Sequence, residues 1–276
     1  MSRLTLERNG IRYTADGDRP ESLAIPMDFN GQQPNHFGVS KAHAQPLSVG
    51  DFIGDVRLGG SVNCEQIHVT PHCQGTHTEC VGHISHERIA ITDVLRGGFL
   101  LARLISVEPT RADASGDTLA SDQHGADLII SRALLTQALC KYPGESDALV
   151  VRTLPNRTDK RTQQYIGESP APYLSQAAAQ TLVEAGILHV VVDIPSLDRA
   201  HDEGRLSAHR AFWGMPAGCQ RANKAIRPHA TITEMAWIPD TLEDGWYLLD
   251  IQIPAWVNDA APSRPLLYRL LPTHTS

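Results

Sequence analysis

The sequence predicts a mixed α/β chain with more strand than helix. Two observations carry that reading. Residues 148–153, 175–186 and 188–193 follow one another as strand, helix and strand, the order of a βαβ unit with parallel strands. Most other apolar runs are short and β-branched, and only residues 131–139 repeat their leucines at helical spacing.

From the amino end, residues 1–22 alternate charged and apolar side chains around Asn9-Gly10, which predicts a β-hairpin at the edge of the domain. Residues 22–26 read as a short strand running into a loop rich in Gly, Gln, Pro and Asn, as far as about Pro46. Long loops in compact domains are often lids or binding loops, so His36, Phe37 and His43 are candidates to face a substrate; plain surface polarity is the reading taken. Gly59-Gly60-Ser61-Val62-Asn63 forms a turn, and residues 65–70 a strand leading into the next segment. Residues 99–107 read as a strand and 110–126 as a polar loop. Ser131 is placed to cap the helix over 131–139. The run 148–153 is bounded by polar turns, as a buried strand is, and 154–172 is a charged loop carrying Tyr165. Residues 175–186 are Ala-rich and end in Gly186, as helices commonly do. The strand that follows ends in Asp193-Ile194-Pro195-Ser196-Leu197-Asp198, at a carboxyl end where ligand-binding residues often sit. No repeat, low-complexity tract or linker interrupts the chain, so residues 1–276 are expected to form a single domain.

Composition narrows the function. A hydrophobic fraction of 41% is ample for a core, and a net charge of −7 argues against nucleic acid or an anionic membrane as partner. No apolar run reaches the length of a membrane span, and the first twenty residues lack the apolar core of a signal peptide. Five cysteines without regular spacing suit reduced thiols, hence a cytoplasmic protein, with Cys64, Cys140 and Cys219 as small buried or half-buried residues.

The chemistry is concentrated in Pro71-His72-Cys73-Gln74-Gly75-Thr76-His77-Thr78-Glu79-Cys80-Val81-Gly82-His83. Imidazole, thiolate and carboxylate are the donors that bind zinc and other first-row divalent metals. Gly75 permits a sharp turn, and His77 and Glu79 share one side of an extended segment. The first donor has two readings. Parity along an extended chain favours Cys73, whereas donor type favours His72 if one residue bulges before the glycine; His72 is the one taken.

These residues resemble the H-x-G-T-H-x-D-x-P-x-H signature of the metal-dependent cyclase family, that of bacterial kynurenine formamidase and isatin hydrolase. Gly75-Thr76-His77, an acid at 79 and His83 fall in register with it. Glu79 replaces Asp, Val81 replaces Pro, and Cys73 fills the first His slot with His72 displaced by one. Further on, Asp193-Ile194-Pro195-Ser196-Leu197-Asp198, Ser207-Ala208-His209-Arg210, Thr231-Ile232-Thr233-Glu234 and residues 245–254 resemble successive pieces of the family, in order.

The resemblance implies the family's swivelling β/β/α fold, a mixed sheet with few helices, assembled as a homodimer or homotetramer. It implies metal ligation by His72, His77, Glu79, His83, His209 and Glu234, with Glu79 able to bridge two ions and His83 and Glu79 catalytic. The implied cofactor is one or two divalent ions, Zn or Mn. Such an ion lowers the pKa of its water from 15.7 to roughly 7 and polarises a carbonyl, while an imidazole near its working pH returns a proton to the leaving amine. Hydrolysis of a small amide, formamide, lactam or ester through metal-activated water follows, with an arylformamidase-like activity on C–N bonds. No Gly-x-Ser-x-Gly elbow offers a serine nucleophile instead. Two alternatives remain, a metal-assisted cyclase or dehydratase of a keto-acid or polyketide-like substrate, and a binding protein whose altered motif has lost its metal.

Overall fold

The computed structural model describes residues 2–119, 124–166 and 171–271, so the loops expected at 110–126 and 154–172 fall partly outside the described residues. Nine strands build the central sheet: β1 (Glu21–Ser22), β2 (His77–Glu79), β3 (Leu100–Val107), β4 (Ala148–Thr153), β5 (His189–Val192), β6 (Thr231–Glu234), β7 (Gly245–Gln252), β8 (Ala260–Pro262) and β9 (Arg264–Arg269). Their order across the sheet is β8-β2-β6-β5-β4-β3-β7-β9-β1. The middle four, β3 to β6, run parallel, and the strands on both flanks run antiparallel. The expected βαβ unit is β4, a helix and β5, with Leu149 opposite Val190 and Val151 opposite Val192.

Four α-helices lie among the described residues: α1 (Ile91–Val94), α2 (Arg132–Cys140), α3 (Gln176–Glu184) and α4 (Ser207–Trp213). Strand parity divides the core. Leu149, Val151, Val190, Val192 and Ile232 meet Leu135, Leu182, Phe212 and Trp213 from the helices. Val150 and Val191 point the other way, among Leu104, Leu249 and Ile251. Burial of both faces is why these strands read as continuous Val runs without polar alternation. Each such side chain contributes about 1.5–3 kcal/mol by leaving water. Ser131 and Ser175 cap their helices by accepting from Leu134 N and Ala178 N, contacts worth about 1 kcal/mol each.

The hairpin expected at Asn9-Gly10 pairs Arg3–Arg8 with Ile11–Asp16. The strand expected at 22–26 stops early, at Ser22, because the Ile25 amide donates to Thr76 Oγ1 at 2.9 Å and Pro26 has no N–H to give. The strand Glu65–His68 pairs with His43–Pro46 in a separate two-stranded ribbon, so it does not carry the donors into the sheet. That role falls to β2. Within the long loop, Asn35–His36 pairs with Gln164–Tyr165, and His36 is buried at 2% exposure, which overturns its surface reading; His43 is exposed, as expected. Cys64 and Cys140 are exposed and Cys219 is half-buried, so burial of the first two does not hold. Among the described residues no helix is long and apolar enough to cross a membrane.

Candidate metal centre

Two glycines shape the motif. Gly75 has φ +73°, and a Cβ there would meet Met27 Sδ at 2.6 Å. At Gly82 a Cβ would meet the Ile89 carbonyl at 2.5 Å. Both turns need glycine for close approach. The first folds the 3₁₀ turn Pro71–Cys73 back against β2, and the second starts the 3₁₀ turn Val81–Ile84 that carries His83. Because residue 73 lies in a turn, the parity linking it to 77 and 79 does not operate. It is His72 that stands with His77 and Glu79, all three donor atoms within 4.8 Å of one another; Cys73 belongs to no such donor group among the described residues.

β2 sits between β6 and β8, with Glu234 opposite His77 and Ala260 opposite Glu79. His77 and Glu79 therefore share a face, and Glu234 reaches the same point from the next strand. His77 Nε2 is 3.4 Å from Glu234 Oε2. His209 arrives from α4. Asp198 accepts from the amides of Ala208 and His209 and from His209 Nδ1, the last at 2.6 Å, which turns Nε2 toward Glu79 Oε1 at 3.0 Å and Glu234 Oε1 at 3.5 Å. His72 Nδ1 lies 2.9 Å from Glu79 Oε2, and His83 Nδ1 lies 3.7 Å from the same oxygen. A second triplet, Glu79, His83 and His209, shares Glu79 with the first. The six residues singled out in the sequence thus lie in one cluster.

One carboxylate was not anticipated. Asp259 Oδ2 is 2.7 Å from His72 Nε2 and 3.6 Å from His83 Nδ1, and these three form a further candidate donor group. It stands just before β8, whose pairing with β2 brings it to the motif. A lone Asp in a loop gives no signal in the sequence, and only that strand pairing reveals it.

The charges follow the contacts. Burial works to raise the Glu79 carboxyl, but the charge on His83, the hydrogen bond from His209 and the close approach of His72 hold it well below the usual range. Glu234 comes down to about 2: burial and Glu79 oppose this, and His209 and His77 outweigh them. Asp259 is lowered by its hydrogen bonds with His72 and His83. Burial opposes charge on His72, yet Asp259 and Glu79 raise it to about 10. For His209, burial is likewise outweighed by Asp198, Glu234 and Glu79, which raise it.

The donor set fits a divalent cation on this geometry. His77 Nδ1 donates to the Gly75 carbonyl at 3.1 Å, which leaves the Nε2 lone pair aimed at the cluster. His77 Nε2 and Glu79 Oε2 are buried and make no hydrogen bond of good geometry among the described residues, although His72 Nδ1 stands 2.9 Å from the Glu79 oxygen. Nitrogen and oxygen donors in this mixture suit a divalent metal ion.

A family model described as "Putative cyclase" matches residues 20–199. No curated protein matches the sequence. Among solved structures, a Bacillus stearothermophilus protein described as a predicted metal-dependent hydrolase is 15% identical, with a TM-score of 0.57 over 91% of this chain and 98% of its own. Isatin hydrolase A from Labrenzia aggregata, bound to benzyl benzoate, is 13% identical, with a TM-score of 0.56 over 91% of this chain and 93% of its own. An isatin hydrolase bound to the product analogue thioisatinate is 17% identical, with a TM-score of 0.55 over 84% of this chain and 83% of its own. At these identities the likeness is one of fold.

Proposed function

This chain belongs to the cyclase family and has its mixed sheet with few helices, and on that premise we propose that it is a metal-dependent hydrolase of a small amide, formamide, lactam or ester. The observation that carries the reading is the pair of buried atoms without hydrogen-bond partners, His77 Nε2 and Glu79 Oε2, inside a cluster of histidines and carboxylates. A divalent cation, Zn or Mn, would be held by His72, His77, Glu79, His83, His209 and Glu234 in one or two positions, and when bound it supplies Lewis acidity and a water acidified to a pKa of roughly 7.

The chain's own groups do the rest. Asp198 fixes the His209 ring, and the Gly75 carbonyl fixes His77, so both present Nε2 without a search over rotamers. Glu234 is steadied by the Leu197 amide at 2.8 Å. His83 is the proton donor to the leaving group. Its side chain keeps 28% exposure, where His77 and His209 keep 0% and 1%, and His72, at 25%, is engaged by Asp259 at 2.7 Å, which leaves His83 as the ring that a substrate and bulk water can reach. The isatin hydrolases among the similar folds support C–N hydrolysis. A solved structure described as a potential metal-dependent hydrolase with cyclase activity, 16% identical, keeps the cyclase reading in view. Assembly as a homodimer or homotetramer is supported by the exposed Val49, Phe52, Ile53, Val56, Leu58 and Ile67 near the 43–68 ribbon, and a cytoplasmic location by five free cysteines.

Metal analysis of protein purified without added metal, with product analysis on formanilide and on a cyclic imide, tests the reading. At least one equivalent of metal and chelator-sensitive release of formate support it. A chain that holds no metal, or that cyclises without hydrolysing, overturns it.

A further inference from the structure

Outside the donor cluster, His36 is the residue with two unpartnered buried polar atoms among the described residues. His36 is 2% exposed, and neither Nδ1 nor Nε2 has a hydrogen-bond partner. The Tyr165 carbonyl lies nearby, close enough to favour the protonated ring, yet it does not meet hydrogen-bond geometry with either nitrogen. Burying two such atoms unpaired costs free energy, and native folds rarely tolerate it without a reason.

The position of His36 supplies the reason. Its strand packs against the turn Pro71–Cys73, which carries His72, and its ring is near enough to Glu234 and His77 to feel their charges. The loop is held there firmly. Gln33 makes a two-way contact with Ala42, its Oε1 accepting from the amide at 2.9 Å and its Nε2 donating to the carbonyl at 3.0 Å. Asn35 Nδ2 donates to the Val39 carbonyl at 2.8 Å, and Gln74, inside the motif, donates to the Ser40 carbonyl at 2.7 Å. Phe37 sits at φ +60°, a conformation a bulky residue adopts only when its surroundings impose it. It lies against His36 with ring centroids 3.8 Å apart, and Tyr165 meets His36 edge-on at 6.3 Å.

We propose that His36 is a substrate-binding residue, which hydrogen-bonds the polar edge of a flat aromatic carbonyl compound while its reacting carbonyl meets the donor cluster. This rests on the hydrolase reading above. The ring's two nitrogens offer one donor and one acceptor to a partner that the protein does not provide. Phe37 at 55% exposure and Ile166 at 61% offer apolar surface beside it for the substrate's ring.

The test compares the parent with His36→Leu and His36→Gln, using formanilide as the probe. Steady-state kinetics, metal content per chain and thermal melting are measured on the same samples. His36→Leu is expected to raise KM about tenfold, the worth of one hydrogen bond, with kcat changed less than about threefold and metal content as in the parent. Its melting temperature should hold or rise, because an apolar side chain removes the unpaired nitrogens. His36→Gln, which restores a donor and an acceptor, should recover most of the KM. A parent-like KM in His36→Leu overturns the proposal, as does loss of metal with the side chain, and a melting temperature lowered by several degrees assigns His36 to structure instead. If the parent hydrolyses nothing, the hydrolase reading fails. His36 is then judged by calorimetric binding of formanilide to the metal-loaded parent and to His36→Leu: weaker binding in the variant supports the proposal, and equal or absent binding overturns it.

Discussion

The two ends of the parallel strands β4, β5 and β6 both bury a histidine, and they treat it in opposite ways. At the amino ends, His189 meets a hydroxyl, Thr231 Oγ1, at 2.8 Å, and burial brings the ring down to about 4, so it is neutral at pH 7. Near the carboxyl ends, His209 is enclosed by Asp198, Glu79 and Glu234 and is raised. The difference extends past the two rings. The buried side-chain atoms without partners among the described residues belong to Asn35, His36, His77, Glu79 and Ser263, and none comes from the amino ends. Ser263 joins the motif through its amide, which donates to the Thr76 carbonyl. Burial of a histidine therefore does not mark a site in this protein. What marks it is the concentration of unsatisfied donors and acceptors on one side of the sheet.

The largest expected effect falls on the motif side. His77→Ala removes a ligand whose lone pair has no other use, so metal content should drop by at least one equivalent and turnover by about 10⁴-fold or more. The ring is fully buried, so its removal also leaves a cavity that lowers the melting temperature of the metal-free protein, and metal content is therefore read on folded protein. Unchanged metal stoichiometry would break the contrast between the two ends. His83→Ala comes next, with turnover reduced by about 10²–10⁴-fold. Metal retained at the parent level in that variant assigns His83 to proton transfer, and loss of one equivalent assigns it to ligation. Wild-type turnover with full metal would leave the mechanism without its proton donor.

Asp259→Asn probes the unanticipated carboxylate. It keeps the shape and gives up the charge that holds His72 at 2.7 Å. Orienting carboxylates of this kind are typically worth about 10–100-fold in metal affinity or activity. A metal titration showing parent-like affinity would reduce Asp259 to a bystander.

How far the sequence reaches follows the same division. The hairpin at Asn9-Gly10, the Ser131 cap and the β4–α3–β5 unit rest on local chemistry, and each is legible from a few adjacent residues. The cluster of His77, Glu79, His83, His209 and Glu234 is legible through the resemblance to the cyclase family, whose pieces recur here in order although they lie far apart in the chain. Which of His72 and Cys73 stands with the other donors depends on whether residues 71–73 are extended or turned, and the 3₁₀ turn there places His72 beside His77 and Glu79, which the pattern of residues does not reveal. Asp259 and His36 are harder. Each stands in a loop with no periodicity, and tertiary pairing, β8 on β2 and Asn35–His36 on Gln164–Tyr165, puts them where they act.

The smallest effect belongs to the amino ends and tests whether His189 is structural only. Its folded pKa is depressed to about 4 from an ordinary 6.5, with burial the main cause, Arg227 adding to it and Asp147 opposing. Between those two values the unfolded chain holds a proton that the folded chain does not, so acidification favours unfolding. The contribution is present in full above pH 6.5 and is lost as pH falls toward 4, amounting to roughly 3 kcal/mol across the window by the linkage between pKa and stability. His189→Gln keeps a polar group near Thr231 without the titration. Urea unfolding at several pH values from 4.5 to 7 should therefore show a flatter stability profile for the variant than for the parent. The subtraction cancels the carboxylates and other histidines common to both. Turnover at pH 7 should stay within about twofold, since surface and structural changes remote from the chemistry rarely exceed that. A parent-like slope would mean that His189 is already protonated in the fold, and the opposition between the two ends of the strands would then be lost.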